Sequence, residues 1–277
     1  MTRRPSHLAL GVAALTAVLS ARTAAGQTTT ASAADTGVRT LMSWLDDAEV
    51  IEPGGFQVSI AASRWRTQYG HETDFPSVSA SAGIAPRLQI AASGLHYSSA
   101  YTDGFTSRGR GDAYVVAKFA AISPRDHPGG IAISPVIEIL SDLTLAYRPA
   151  GSSRVSWGVP INLQYTSIKY RVYGSTGYFS RGSVFASAGA EVFVAPRVIA
   201  TGSLLYSHET RTTPLSAQYA LKPFHADANG GVSFLASDAV TLFGSVGRTV
   251  GGLDSTSTSV IATAGISVRV AGHSASP

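Results

Sequence analysis

His96 and Ser98 stand two residues apart in His96-Tyr97-Ser98, and on an extended chain that spacing puts both side chains on one face. A serine becomes a nucleophile when a histidine within hydrogen-bond reach takes its proton and an acidic group orients that histidine. The spacing permits the first condition. The second is not met, because no Asp or Glu shares the pair's face and height, and Asp112 is expected on the opposite face. The plainer reading of the triplet is an aromatic-girdle tyrosine between polar rim residues. No Gly-x-Ser-x-Gly elbow, His-Glu-x-x-His helix or phosphate-binding glycine loop occurs, so enzymatic chemistry is not expected. His208-Glu209 and His225-x-Asp227 each offer two ligands where a zinc site needs three or four, so neither metal nor cofactor is expected. Cysteine is absent, which excludes disulfides, thiolate metal sites and a cysteine nucleophile.

A second set of chemically capable residues consists of charges embedded in apolar, alternating segments: Asp112, Lys118, Glu138, Lys169, Arg171, Glu191, Asp227 and Arg269. Each falls on the small or polar face of its segment. In 154–165, Val155, Trp157, Val159, Ile161, Leu163 and Tyr165 alternate with Ser156, Gly158, Pro160, Asn162 and Gln164. In 256–270, Val260, Ala262, Ala264, Ile266, Val268 and Val270 oppose Thr263, Gly265, Ser267 and Arg269, with Ile261 the misfit. Segments 111–120 and 131–140 behave alike, with Asp112, Lys118 and Glu138 on the polar side. A soluble β-sandwich also alternates, but its solvent face is rich in Lys, Glu and Asp. Here that face is mostly Ser, Gly, Thr and Ala with scattered charges, as expected of the lumen of a transmembrane antiparallel up-and-down β-barrel, with the apolar face toward lipid. The charges are then predicted to line a narrow pore, where mixed signs facing one another favour polar or dipolar solutes, or else to pair with one another and fill a nearly closed barrel.

Composition agrees. Charged residues make up 14% of the 277-residue chain, glycine is abundant at 28 copies, and mean hydropathy lies slightly above zero, which excludes a disordered chain. The net charge of +4 is small and partly confined to the first 22 residues, so no nucleic-acid partner is expected. Arg3 and Arg4, the apolar run Leu8 to Leu19 and the small residues Thr23-Ala24-Ala25-Gly26 have the three-part form of a secretory signal peptide over 1–26. Beyond it no apolar run approaches the ~18 residues of a membrane-spanning helix. The destination expected is the cell outer membrane, with its lipid and the barrel assembly machinery as partners. Segment 27–53 is expected to lie in the periplasm or in the barrel mouth, 54–270 to form the barrel, and 271–277 to be a tail.

Turn chemistry gives the strand count. Ala85-Pro86-Arg87, Ala195-Pro196-Arg197 and Ser237-Asp238 read as tight reversals, and longer polar segments at 66–73, 99–109, 141–153, 174–182, 209–223 and 251–255 read as loops at the other end. About twelve strands follow, at 55–65, 74–84, 88–98, 111–121, 131–140, 154–165, 168–173, 183–194, 197–208, 225–236, 240–250 and 256–270. Ser77, Ser79, Ser81, Gly83, Ser187 and Gly189 would leave lumen space, whereas Tyr114, Tyr173, Phe185 and Phe193 would fill it. The same parity predicts that Arg is costly at Ile161 and tolerated at Asn162.

The stretches PGGFQVSIAASRW, GIAPRLQIAASG, RGRGDAYVVAKFAAI and YRVYGSTGYFSRGSVFASAGAEVFVAPRVIATGSLLYSHE resemble the outer-membrane barrels of the MetA-pathway of phenol degradation family over most of 52–270. The most specific element is Gly111-Asp112 leading into a strand that reaches Lys118. This resemblance implies an outer-membrane channel or transport protein for small molecules, aromatic or apolar ones among them. Many such barrels end on an aromatic residue, whereas the last strand here ends at Val268-Arg269-Val270. His96-x-Ser98 is similar to the pair of outer-membrane lipid A deacylases, which implies a minor enzymatic alternative. The main alternative to transport is a non-conducting barrel serving as envelope scaffold, adhesin or surface binding module.

Overall fold

The computed structural model describes residues 45–67, 70–102, 105–142, 145, 152–211, 220–254 and 257–272. The expected signal peptide and the final tail residues 273–277 lie outside the described residues. Among those described, no helix is long and apolar enough to cross a membrane.

The alternating segments form strands: β1 (Phe56–Thr67), β2 (Gly70–Ala85), β3 (Leu88–Thr102), β4 (Phe105–Ile122), β5 (Gly129–Ile133), β6 (Val136–Ile139), β7 (Val155–Thr166), β8 (Tyr170–Phe179), β9 (Ser183–Ala195), β10 (Val198–Glu209), β11 (Phe224–Leu235), β12 (Val240–Gly251) and β13 (Thr258–Val270). Every pairing between them is antiparallel, and β1 pairs with both β2 and β13, so the sheet closes on itself. β5 and β6 each pair with β4 on one side and β7 on the other, and together they form one spanning strand of a twelve-stranded barrel.

Proline chemistry explains the break between β5 and β6. Pro135 has no N–H, and in register Ser134 faces Pro160, which has none either. Each side of the strand loses one donor there, and Ser134 N→Pro160 O (2.9 Å) toward β7 and Ala117 N→Pro135 O (3.0 Å) toward β4 bridge the gap. The burial pattern passes through the break unchanged, so the 131–140 strand expected from sequence is interrupted in hydrogen bonding but not in parity.

Several expected boundaries move. The strand placed at 168–173 begins at Tyr170 and runs on to Phe179, through residues read as a loop. Gly174-Ser175-Thr176-Gly177 resembles a turn, but these positions sit where neighbours crowd the strand: a Cβ on Gly177 would lie 2.9 Å from the Phe185 ring and 2.8 Å from Val159 O. The reversal comes later, at Ser180-Arg181-Gly182, with Gly182 at φ 97° in the left-handed region. The expected loops at 66–73 and 99–109 are likewise largely strand.

The parity is as expected. Trp157, Ile161, Leu163, Ile137, Phe119 and Val194 face outward and are exposed, while Ser156, Asn162, Gln164, Glu138 and Lys118 point inward and are buried. The molecule thus carries an apolar belt outside and a polar, small-residue surface within, the inverse of a water-soluble domain.

Candidate functional site

The lumen collects the charges. At the end where the turns 86–87, 167–169 and 196–197 lie, β8 and β9 place Arg171 directly opposite Glu191. The guanidinium Nη2 lies 2.6 Å from Glu191 Oε2, and both side chains are shielded from solvent. Arg171 Nη1 also reaches Asp47 Oδ2 (3.2 Å) and Glu49 Oε2 (3.3 Å). Lys118 of β4 lies 2.7 Å from the Asp46 carboxylate and 3.3 Å from Asp47 Oδ1, and it donates to Glu49 O. The acids come from residues 45–52, which lie against the inner wall as a strap with Leu45, Asp47, Ala48, Val50 and Ile51 buried.

The backbone of this strap has no ladder of its own, so wall side chains replace one. Ala48 N donates to Gln164 Oε1 (3.2 Å), Ile51 N to Gln89 Oε1 (2.8 Å) and Asp46 N to Ser175 Oγ (3.0 Å). Arg125 donates to Val50 O. The chain then passes Gly83, whose N–H and carbonyl bond to Gly55 O and Gly54 N, and a Cβ there would lie 2.1 Å from Glu52 O. Glycine is required at that approach.

Farther along the lumen, Arg181 Nη1 meets Glu138 Oε1 (3.0 Å) and its guanidinium covers the Phe179 ring. Phe179, Phe185 and Val136 form an apolar cluster against which Tyr114 and Val116 of β4 and Leu205 of β10 pack. Those two strands stand nearly opposite in the ring, so the cluster reaches across the lumen. The remaining wall, from β10 through β13 to β3, is rich in small residues. Ser203, Gly231, Ser245, Gly265, Ser79 and Ser93 all point inward and are half-buried. Phe243 lies against Ala61 there.

Of the residues expected inside, Lys118, Glu138, Arg171 and Glu191 are buried in ion pairs. Asp112 accepts Ser141 N (2.7 Å), and Asp227 accepts Thr249 Oγ1 (2.8 Å). Arg269 has the inward parity and no ion pair among the described residues. Lys169 does not join them: the later start of β8 leaves it exposed in the turn 167–169. Sequence reasoning missed the strap acids Asp46, Asp47 and Glu49, as well as Arg181, hidden in the supposed loop. It also missed Trp65, which the parity of β1 would have revealed and whose Nε1 donates to Asp74.

His96 faces outward on β3, as expected, but its register partner is Arg110, a cation where a triad needs a carboxylate. The Ser98 side chain lies outside the described residues. Tyr97 is not a girdle residue: it is buried, with its ring against Gly109. His225 Nε2 stands 3.6 Å from Asp254, and no cluster of three metal-ligating side chains occurs among the described residues.

No family model and no curated protein matches the chain. Solved structures do. The NanC porin superposes with a TM-score of 0.56 at 9% identity, covering 77% of this chain and 100% of that one. An outer-membrane channel from Pseudomonas putida F1 gives 0.52 at 11% identity, over 81% and 98%. The KdgM porin in complex with disordered oligogalacturonate gives 0.51 at 13% identity, over 76% and 98%. At these identities the likeness concerns the fold, which is that of outer-membrane channel barrels.

Proposed function

We propose that the chain sits in the outer membrane and passes small molecules through its lumen. The observation that carries this reading is the pairing of an exposed apolar belt with an inner wall rich in hydroxyl and glycine residues from β10 to β3, facing the filled side of the barrel. The shared fold with outer-membrane channels supports it, as does the resemblance to the phenol-degradation family.

The charge arrangement bears on the solute. Lys118, Arg171 and Arg181 are already engaged by carboxylates, which leaves Arg269 as the lumen-facing cation without an ion pair among the described residues. A lumen whose cations are so engaged offers little to an acidic oligosaccharide, and the half-buried Trp65 on the inner face favours uncharged solutes with apolar or aromatic surface. Planar-bilayer recording tests the channel, and liposome swelling tests the solute. Discrete conductance steps and faster uptake of uncharged aromatic solutes than of acidic oligosaccharides are expected.

The strap and the Phe179–Phe185 cluster favour a second reading, a non-conducting barrel that acts through its loops. Folded protein without conductance would select it.

A further inference from the structure

The outward face carries a feature that the channel reading does not use. Arg64 and Arg66 of β1 and Arg248 of β12 all point outward and are exposed, with no ion pair among the described residues. They belong to one patch. Arg64 is in register with Ala262, which is in register with Val246, and Arg66 is in register with Val260. Arg248 follows Val246 on the same face of β12, one strand beyond Val260, about 10 Å from Arg66 at the usual strand spacing. The outward faces of β12, β13, β1 and β2 hold no carboxylate. The two acids of β2, Glu72 and Asp74, lie opposite Trp65 and Ser63 on the inner side.

Beside the arginines runs a shallow groove lined by Ala228, Gly230, Val246, Arg248 and Val260. Gly230 pairs with Gly202 of β10. A Cβ on Gly202 would meet nothing within 4 Å, and one on Gly230 only Thr201 O at 3.9 Å, so these glycines leave open space rather than relieve crowding. A guanidinium on the outward face of a membrane barrel is stable only where water or an anion meets it. Three on one patch, without counter-charge and at the head of an apolar groove, complement a molecule with phosphate at one end and hydrocarbon at the other.

We propose that this patch binds a phosphorylated membrane lipid, its phosphates on Arg64, Arg66 and Arg248 and an acyl chain in the groove over Gly230. The proposal rests on the membrane location in the preceding reading but not on conductance. The test is native mass spectrometry of the full chain, folded in neutral detergent and checked by heat-modifiable migration, with bis-phosphorylated lipid A, its dephosphorylated form and inorganic phosphate as probes. Retention of the phosphorylated lipid alone is expected, with a loss of about tenfold or more in Arg66→Gln/Arg248→Gln. Gly230→Leu, which fills the groove without crowding the backbone, should weaken lipid A binding while all three arginines remain. Equal retention of both lipids, unchanged binding in the double variant, or displacement of the lipid by millimolar phosphate alone would overturn the proposal. Planar-bilayer recording of the same preparations separates these results from a failure of the channel reading.

Discussion

Arg171 and Glu191 face each other across β8 and β9, with Nη2 2.6 Å from Oε2 and neither side chain open to solvent. The pair is also the anchor of the strap, because the same guanidinium holds Asp47 and Glu49. Arg171→Met would leave these carboxylates without their guanidinium in a dry site. Breaking a buried pair from one side costs about 3–5 kcal/mol. Urea titration of unfolding in lipid vesicles should show a loss of that size, and a change within about 0.5 kcal/mol, typical of surface sites, would mean that the site is open to water.

Asp47 is shared between Lys118 and Arg171. Asp47→Ala should therefore free residues 45–52 without unfolding the barrel. Hydrogen exchange reads this directly: the amides of Ala48 and Ile51, held by Gln164 and Gln89, should lose protection while those of β8 and β9 keep theirs. Retained protection at both amides would show that the charges do not hold the strap.

The barrel walls were legible in the sequence because one chemical rule acts on every residue of a spanning strand: apolar outward, small or polar inward. Trp157, Ile161, Lys118 and Glu138 all obey it. The contents of the lumen were not, because they depend on contacts between distant parts of the chain. Nothing local to Asp47 points to Arg171, 124 residues away. Asn162 shows the same limit. Its inward parity was right, but tolerance of Arg there does not follow, since the residue is fully buried and donates to Ser134 Oγ at 2.7 Å. Inward means open only where the facing side chains are small.

Ile161 is exposed on the outward face, whereas Ser79 lies half-buried on the small-residue wall. Ile161→Arg should cost about 2–4 kcal/mol if the residue lies near the bilayer midplane, and Ser79→Arg under about 1 kcal/mol. Asn162→Arg should be costly as well, through overpacking, by about 1–3 kcal/mol. Folding free energies in vesicles decide the order, and equal costs at Ile161 and Ser79 would place the register or the membrane context in error.

The most direct measurement uses the absence of native cysteine, which leaves every introduced thiol unique. Ser245 lies half-buried on the small-residue wall, and Ser175 is buried beneath the strap, bonded to Asp46. In single-channel recordings, a charged methanethiosulfonate added to Ser245→Cys should reduce conductance in discrete steps, whereas Ser175→Cys should conduct normally and not react. Block at Ser175 with none at Ser245 would put the path on the wrong side of the lumen, and folded protein that never conducts would contradict the channel itself.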